Sequence, residues 1–301
     1  MSFVKSLIKL SRPRQWVKNS FVFTALIFSG QVLNVTAVAH SLIAFAAFCL
    51  LSSGIYFLND FKDIREDRLH PTKCHRPLAN GDLPAWAGIV GFFVLAGSAL
   101  ALCFFQLNTS TMFVLCAYLA VNIGYSMGLK HLVIIDVVLI SSGFLLRIIA
   151  GAATISVSTS KWLILCGVTI SLFLGFTKRR VEIVLLGEKA KEHRRVLAYY
   201  NTDFLDQVIS IVTASTVVCY ILYTVDVRTV HLVGSHLLVV SVPLVLYGIL
   251  RYLYLVYNTS SNGDPSKIIL TDRPLLLTVF LWGTVCTFII LFGERIKLHL
   301  L

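Results

Sequence analysis

Nine long apolar segments follow one another along this chain of 301 residues and restrict it to a membrane-spanning fold. A helix needs about 20 mostly apolar residues to cross the hydrocarbon layer of a bilayer. With 57% hydrophobic and only 14% charged residues, the chain is too apolar for a soluble domain. We therefore predict an all-α polytopic membrane protein with nine transmembrane helices, over residues 21–38, 41–58, 85–105, 109–125, 132–150, 162–176, 208–225, 237–256 and 275–292.

Basic residues are distributed unequally between the two ends of these segments. Of the 26 lysine and arginine residues, 20 fall in the N-terminal stretch and in the connections on the same side, and four fall on the opposite side. Cytoplasmic loops carry an excess of lysine and arginine, so we predict that these connections are cytoplasmic, in the plasma (inner) membrane of a cell. No change of composition marks a domain boundary, and residues 1–301 are predicted to form a single transmembrane domain.

The first 20 residues carry five of the basic residues but no apolar stretch followed by a small-residue cleavage site. They are predicted to form an amphipathic surface segment rather than a cleaved signal. Arg14 and Lys18 lie four residues apart around Trp16, so a helix would place them on one side. Two interpretations stay open, a membrane anchor with Trp16 at the interface and a clamp for a substrate phosphate.

The most informative polar stretch directly follows the second apolar segment and contains Asn59, Asp60, Asp63 and Asp67. On a continuous helix these four side chains share an arc of about 100°. Crowded oxygen donors repel one another unless a cation lies among them, and Mg²⁺ commonly combines a few carboxylates with substrate phosphate oxygens. We interpret this face as a magnesium site, and a solvated acidic helix end is the alternative.

A loop shaped by Pro71, Pro77 and Gly81 follows this acidic stretch. Its Lys73 and Arg76 are predicted to reach back over the acidic face, where cations beside a metal would hold an anionic group. Residues 59–84 are therefore predicted to form a cytoplasmic active-site loop.

Polar residues also border and interrupt the fifth apolar segment, at Tyr125, Lys130, Asp136 and Arg147. Lys130 by itself fits a snorkelling lysine at the membrane interface. Asp136 lies inside an apolar segment, where an acid is costly and marks a functional site by default. Arg147 follows about three turns later on roughly the same side. It is expected to line the same cavity or to pair elsewhere.

A second charged motif at the end of the sixth apolar segment places Lys178, Arg179 and Glu182 on one helix face and Arg180 on another. Residues 178–206 are predicted to form a second cytoplasmic active-site loop, in which 188–195 form a solvated surface helix. In the last cytoplasmic loop, 263–265 is predicted to form a turn, and Asp272 is interpreted as a helix cap.

The motif Asn-Asp-x-x-Asp-x-x-x-Asp after the second apolar segment resembles the first acidic motif of the UbiA-type intramembrane prenyltransferase superfamily. Tyr125 with Leu129, Lys130 and Asp136 is similar to the next motif of that superfamily. The resemblance covers nearly the whole chain. It implies nine helices bundled around a central cavity open to the cytoplasmic side, with acidic motifs that bind magnesium and the diphosphate of a prenyl donor.

The chain departs from ordinary members at the second acidic motif, where they have paired aspartates and this chain has Lys178, Arg179 and Glu182. This departure, the stretch Arg-Pro-Arg-Gln-Trp-Val-Lys-Asn and the stretch Asp-Arg-x-His-Pro-Thr-Lys-x-x-Arg-Pro resemble the decaprenyl-phosphate phosphoribosyltransferase branch. The resemblance implies transfer of 5-phosphoribose from phosphoribosyl pyrophosphate to a polyprenyl phosphate, with release of pyrophosphate. The implied catalytic residues are Asp63, Asp67 and Lys178; Mg²⁺ is held by Asn59, Asp60, Asp63, Asp67 and Glu182; substrate is bound by Arg14, Lys18, Lys73, Arg76, Tyr125, Lys130, Asp136, Arg147 and Arg179.

The charge balance agrees with this branch. Phosphoribosyl transfer has to hold a pyrophosphate, a sugar phosphate and an acceptor phosphate together, and the chain has a formal net charge of +11. Two other functions stay open. One is prenyl transfer onto an aromatic or quinone precursor, and the other is transport of a phosphorylated solute, which predicts polar groups along a path through the bilayer. The expected partners are both substrates and the lipid bilayer, without nucleic acid, and self-association is left open.

Overall fold

The structure is a computed structural model that describes residues 3–69, 73–187, 195–258 and 271–300, with only the backbone of 195 and 294–300. No strand occurs within these ranges. The α-helices are α1 Phe3–Ser11, α2 Thr24–Phe28, α3 Val35–Lys62, α4 Ile64–Leu69, α5 Trp86–Gln106, α6 Thr109–Ser126, α7 Ile135–Thr154, α8 Lys161–Leu186, α9 Thr202–Val225, α10 Val227–Val233, α11 Val242–Asn258 and α12 Arg273–Leu300. Short 3-10 helices cover Pro13–Phe23, Gln31–Leu33, Lys73–His75, Leu129–His131, Arg195–Tyr199 and Leu237–Ser241.

Eight helical segments among the described residues are long and apolar enough to cross a membrane. One of them joins the 3-10 helix Leu237–Ser241 to α11. The prediction of an all-α membrane protein is confirmed, whereas the number of nine spans is not confirmed by the described part of the chain. The sixth predicted span is longer than expected, because α8 continues to Leu186.

The first predicted span, 21–38, is wrong as a single helix. A 3-10 helix ends at Phe23, α2 covers the next five residues, and Gly30 turns the chain with a φ of 71°. Asn34 then caps a new helix, because its side-chain oxygen accepts hydrogen bonds from the backbone N–H groups of Thr36 and Ala37 at 3.0 and 3.2 Å. Residues 35–40 therefore belong to α3, which is 28 residues long.

The chain divides into two compact units, and the first consists of Met1–Leu26, Asn34–Lys130 and Leu146–Val157. Its apolar core includes the buried side chains of Phe48 and Leu51 on α3. Helices α3 and α5 approach closely where Gly91 faces Phe57, since a β-carbon at Gly91 would lie 2.2 Å from the Phe57 ring. This packing holds the polar end of α3 in a fixed position.

The second unit consists of Ile27–Leu33, His131–Leu145 and Ser158–Leu301. Its apolar cores bury side chains of α7, α8, α9, α11 and α12, including Val137, Phe173, Leu205 and Ile209. Asn201 starts α9 by accepting a hydrogen bond from the backbone N–H of Phe204 at 2.7 Å. The first part of α7 and the whole of α8 belong to this second unit.

Gly151 on α7 lies directly against the backbone of the 3-10 helix Pro13–Phe23. A β-carbon at this position would lie 2.0 Å from the carbonyl oxygen of Val22. We expect Gly151→Ala to lower the free energy of unfolding by about 1–3 kcal/mol or more, because a backbone group cannot move aside as a side-chain end can. Thermal unfolding in detergent measures this loss.

Gly97→Ala is the matched control for that prediction, because no atom lies within 4 Å of a β-carbon there. Alanine is favoured over glycine inside a helix by about 1 kcal/mol, so this variant is expected to unfold at the same temperature or higher. Equal melting temperatures for the two variants would contradict the close contact at Val22.

Candidate active site

The four residues Asn59, Asp60, Asp63 and Asp67, called the acidic cluster below, lie at the junction of α3 and α4. The predicted continuous helix is wrong here, because α3 ends one residue before Asp63 and α4 begins one residue after it. The backbone N–H of Asp63 still donates to the Asn59 carbonyl at 3.0 Å, and that of Asp67 to the Asp63 carbonyl at 2.8 Å. These bonds preserve the helical phase across the break.

Arg76 reaches back to the acidic cluster, as the sequence predicts. Its Nη1 donates to Asp60 Oδ1 at 3.1 Å and to Asp67 Oδ2 at 2.6 Å. The two aspartates are 2% and 3% exposed, and buried charges require such partners. Lys73 begins the 3-10 helix of the same loop and is half-buried. One guanidinium therefore pairs with two buried carboxylates, and its single positive charge offsets one of them.

Arg12 is a second cation at the acidic cluster, and sequence reasoning missed it in favour of Arg14. It pairs with Asp60 Oδ1, and its guanidinium lies 4.7 Å from the centre of the Tyr56 ring. Its φ of 51° reverses the chain between α1 and the following 3-10 helix. Pro13 is the sequence signal for this interruption of the helix at Arg12, because a residue that precedes proline is disfavoured in a helix. Arg14 itself is exposed.

The motif at 125–130 also lies beside the acidic cluster. Lys130 Nζ approaches Asp63 Oδ1 at 3.5 Å, and Ser126 Oγ donates to Asn59 Oδ1 at 2.5 Å. Tyr125 is half-buried on the last turn of α6. Lys130 is therefore paired with an acid of the cluster, whereas a snorkelling lysine would need only the membrane interface.

The acidic cluster fits a magnesium ion chemically, because all of its donor atoms are oxygens. Asp60 and Asp67 direct their oxygens at one nitrogen atom of Arg76, so two carboxylates already converge on a single cation. In the described residues, no three histidine, cysteine, aspartate or glutamate side chains are grouped into a metal cage. Magnesium usually needs only one or two carboxylates beside substrate phosphates, so two converging carboxylates suffice.

The N-terminal segment 1–20 consists of two parts instead of one amphipathic helix. Helix α1 exposes Phe3, Val4 and Ile8, as an anchor would, and both α1 and the following 3-10 helix pack against α3. Trp16 Nε1 donates to Ser53 Oγ at 3.0 Å, which fixes the second part. A 3-10 helix has three residues per turn, so Arg14 and Lys18 do not share a side as predicted. Lys18 is half-buried and Arg14 is exposed.

Arg147 pairs elsewhere, which was one of the two alternatives left open by the sequence. Its Nε donates to Asn19 Oδ1 at 2.8 Å, and its Nη2 donates to the Tyr118 hydroxyl at 2.7 Å. These residues belong to the first unit, and Asp136 belongs to the second. Arg147 is buried and joins α6 and α7 to the N-terminal 3-10 helix.

In the second unit, Arg179 is the centre of a buried network that we call the Arg179 network, formed by Asp136, Arg179, Glu182 and Tyr200. The Nε atom of Arg179 donates to Asp136 Oδ2 at 2.7 Å, and the Nη1 atom of Arg179 donates to Glu182 Oε2 at 2.5 Å. The Arg179 side chain is 1% exposed, that of Asp136 is fully buried, and that of Glu182 is 20% exposed. The network therefore reaches the surface at Glu182.

Tyr200 lies within the predicted loop 178–206, but no sequence motif singles it out. Its hydroxyl donates to Asp136 Oδ1 at 2.8 Å. The hydroxyl oxygen of Tyr200 also accepts a hydrogen bond from the backbone N–H of Ile134 at 2.7 Å. Burial and the bond to Asp136 raise the pKa of Tyr200 above its usual value, so the phenol stays protonated and remains a donor at neutral pH.

Lys178 lies half-buried on the same helix as the network. Arg180 faces elsewhere, as predicted, and its Nε pairs with Asp206 Oδ1 at 2.5 Å. Asp272 is confirmed as the cap of α12, since it accepts from the backbone N–H of Leu275 at 2.8 Å. A pair with Arg251 holds the pKa of Asp272 below its usual value. The predicted features at 70–72, 188–194 and 263–265 lie outside the described residues.

Comparisons with known proteins agree on one family. Residues 20–282 match the model of the UbiA prenyltransferase family. A protein named decaprenyl-phosphate phosphoribosyltransferase in Mycolicibacterium smegmatis is 34% identical over 94% of this chain and 92% of its own length. A protein of the same name in Mycobacterium tuberculosis is 33% identical over 93% of both chains.

Solved structures show the same fold. A UbiA homologue from Archaeoglobus fulgidus, bound to GPP and Mg²⁺, matches with a TM-score of 0.71 at 16% identity, over 95% of this chain and 99% of the other. A UbiA homologue from Aeropyrum pernix K1 matches with a TM-score of 0.62 at 16% identity, over 95% and 98%. Together with the eight apolar helices, these matches identify an integral membrane protein. The chain belongs to the UbiA prenyltransferase family.

Proposed function

We propose that this protein transfers 5-phosphoribose from phosphoribosyl pyrophosphate to a polyprenyl phosphate of the decaprenyl phosphate type, with Mg²⁺ as its cofactor, and releases pyrophosphate. The observation that carries the proposal is the pair of cations Lys178 and Arg179 on α8, at a position where the resemblance to the superfamily implies acidic residues. The relatives named decaprenyl-phosphate phosphoribosyltransferase support it, because they align with nearly the whole chain.

The charges around α8 favour binding of phosphate groups at this position. Arg179 contacts Asp136 at 2.7 Å and Glu182 at 2.5 Å, so its single positive charge offsets one of the two carboxylates. Lys178 adds a positive charge one residue earlier on the same helix. An anionic donor would be repelled by a purely acidic motif without metal, whereas this arrangement presents it with a cation.

The proposed reaction requires alignment and charge stabilisation and no general base. An oxygen of the lipid phosphate, already ionised, forms a bond to C1 of the ribose while the bond from C1 to the pyrophosphate oxygen breaks. The bonding electron pair leaves with pyrophosphate, whose negative charge Mg²⁺ offsets when bound. We assign the ion to Asn59, Asp60, Asp63 and Asp67. Glu182 is assigned to hydroxyl groups of the ribose.

Cations near the acidic cluster supply the remaining contacts to phosphate. Arg12 and Arg76 neutralise buried carboxylates of the cluster in this structure, and guanidinium groups bind phosphate oxygens strongly. Lys18, Lys73, Tyr125 and Lys130 are assigned to substrate as well, and Arg14 contributes at the exposed surface. Asp136, Arg147 and Arg179 are buried among protein partners, so we assign them positioning roles.

We further propose that residues 1–301 act as one transferase domain in the plasma membrane, with the reaction on the cytoplasmic side. Support comes from the concentration of basic residues on that predicted side, where the acidic cluster and Lys178 also lie in the sequence. The lipid substrate is drawn from the bilayer.

Mass detection of the lipid product tests the proposed function. Purified protein receives decaprenyl phosphate, phosphoribosyl pyrophosphate and Mg²⁺, with dimethylallyl and longer prenyl diphosphates as competing donors. We expect phosphoribosylated decaprenyl phosphate and an equal amount of pyrophosphate. Prenylated products without any phosphoribosyl lipid would instead support the aromatic or quinone prenyltransferase alternative.

Lys18→Gln distinguishes a phosphate clamp from a membrane anchor at the N-terminus. Loss of one charge-assisted contact is worth about 1.5–3 kcal/mol, so we expect KM for one substrate to rise about ten- to a hundredfold. The measurement uses protein reconstituted in bilayers of fixed lipid composition. Lys5→Gln on the exposed helix α1 is the control, and it should leave both KM values unchanged. Unchanged KM values in Lys18→Gln would return the segment to an anchoring role.

A further inference from the structure

The Tyr200 hydroxyl connects two parts of the second unit that are far apart in sequence. It donates to Asp136 Oδ1 at 2.8 Å and accepts from the backbone N–H of Ile134 at 2.7 Å. Tyr200 itself follows the 3-10 helix Arg195–Tyr199 and is buried. The reaction has no direct use for this phenol, since no general base is required.

The bond from Ile134 maintains an unfavourable backbone conformation. Ile134 has a φ of 68°, in the left-handed region that a β-branched residue rarely adopts. Such strain persists only where surrounding contacts over-determine the conformation. Tyr200 therefore fixes the turn immediately before α7 as well as the carboxylate of Asp136.

Both oxygens of Asp136 are occupied, one by Tyr200 and the other by Arg179. A buried carboxylate held at both oxygens has little freedom to rotate, so it also fixes the guanidinium of Arg179. Another nitrogen of that guanidinium holds Glu182. The contacts thus form an unbroken series from the phenol to the partly exposed carboxylate of Glu182.

We propose that Tyr200 is a positioning residue for the donor site, which through Asp136 and Arg179 sets the orientation of Glu182 toward the ribose of the donor. This inference rests on the proposed function, because it takes Glu182 as a contact of phosphoribosyl pyrophosphate. Tyr200 acts through other side chains and touches neither substrate.

The second unit contains a matched control for this network. Tyr257 donates through its hydroxyl to Asp206 Oδ1 at 2.7 Å, and Asp206 is paired with Arg180 at 2.5 Å. This is the same order of tyrosine, aspartate and arginine as in the Arg179 network. Tyr257→Phe therefore removes the same type of hydrogen bond without touching Asp136 or Glu182.

The test is a double-mutant cycle between Tyr200→Phe and Glu182→Gln, read as KM for each substrate and as kcat. Phenylalanine keeps the ring that stacks on Phe204 with centroids 6.2 Å apart. We expect Tyr200→Phe to raise KM for phosphoribosyl pyrophosphate about tenfold, the effect of losing one hydrogen bond to a charged group. KM for decaprenyl phosphate and kcat should change less than about twofold, and Tyr257→Phe should change none of the three.

In the Glu182→Gln background, Tyr200→Phe is expected to add less than a twofold effect, because residues acting through one another are non-additive. Independent effects that multiply, or equal losses for both substrates, would overturn the positioning role while the proposed function stands. A wild-type protein that makes no phosphoribosyl lipid overturns the proposed function, and this inference with it. If Tyr200→Phe does not fold, Asp136→Asn replaces it in the same cycle.

Discussion

Asp63→Asn is expected to lower kcat with phosphoribosyl pyrophosphate by about a thousandfold, the upper end of the effect of removing one electrostatic contact to a transition state. Asp63 is the most accessible aspartate of the acidic cluster, with its side chain 30% exposed and its oxygen 3.5 Å from Lys130 Nζ. The variant removes one negative charge while keeping nearly the same shape. The melting temperature should therefore remain close to that of the wild type.

The control for this prediction is Asp226→Asn, which removes a carboxylate next to α10, outside the acidic cluster and the Arg179 network. It should retain full activity. EDTA should abolish wild-type turnover, and added Mg²⁺ should restore it, because the acidic cluster would otherwise present its charges to an anionic donor. Full activity of Asp63→Asn, or of the wild type in EDTA, would contradict the assignment of magnesium to this cluster.

Lys178→Asp is expected to raise KM for phosphoribosyl pyrophosphate by about a hundredfold or more. The variant loses one charge-assisted contact and adds repulsion, and the first term by itself accounts for about 1.5–3 kcal/mol. KM for decaprenyl phosphate should change much less, since Lys178 is assigned to the donor. Steady-state kinetics with each substrate varied in turn measures both values.

Lys161→Asp makes the same charge reversal at the exposed first residue of α8, at the other end of the helix. It should leave both KM values near those of the wild type. Equal losses for donor and acceptor in Lys178→Asp would mean that this position does not discriminate between the two substrates.

The sequence by itself determined the all-α membrane fold. Apolar segments of spanning length must be helical, because hydrocarbon offers no partner to a free backbone group. Local signals also located Asp272 as a cap, since the bond to Leu275 spans only three residues. The prediction of the first span as a single helix was wrong because hydropathy does not reveal the turn at Gly30 or the helix cap at Asn34. These two features divide the apolar stretch into short pieces.

Only the tertiary structure decided which charges meet. Arg12 and Asp60 lie 48 residues apart in sequence, and Tyr200 and Asp136 lie 64 apart. Helical periodicity relates residues only within one helix, so it could neither prefer Arg12 to Arg14 nor find Tyr200. It also placed Asp136 and Arg147 on one side of α7, where the fold gives them separate partners. A buried charge needs a partner of opposite charge, and the packing of helices that are distant in sequence decides which partner lies close enough.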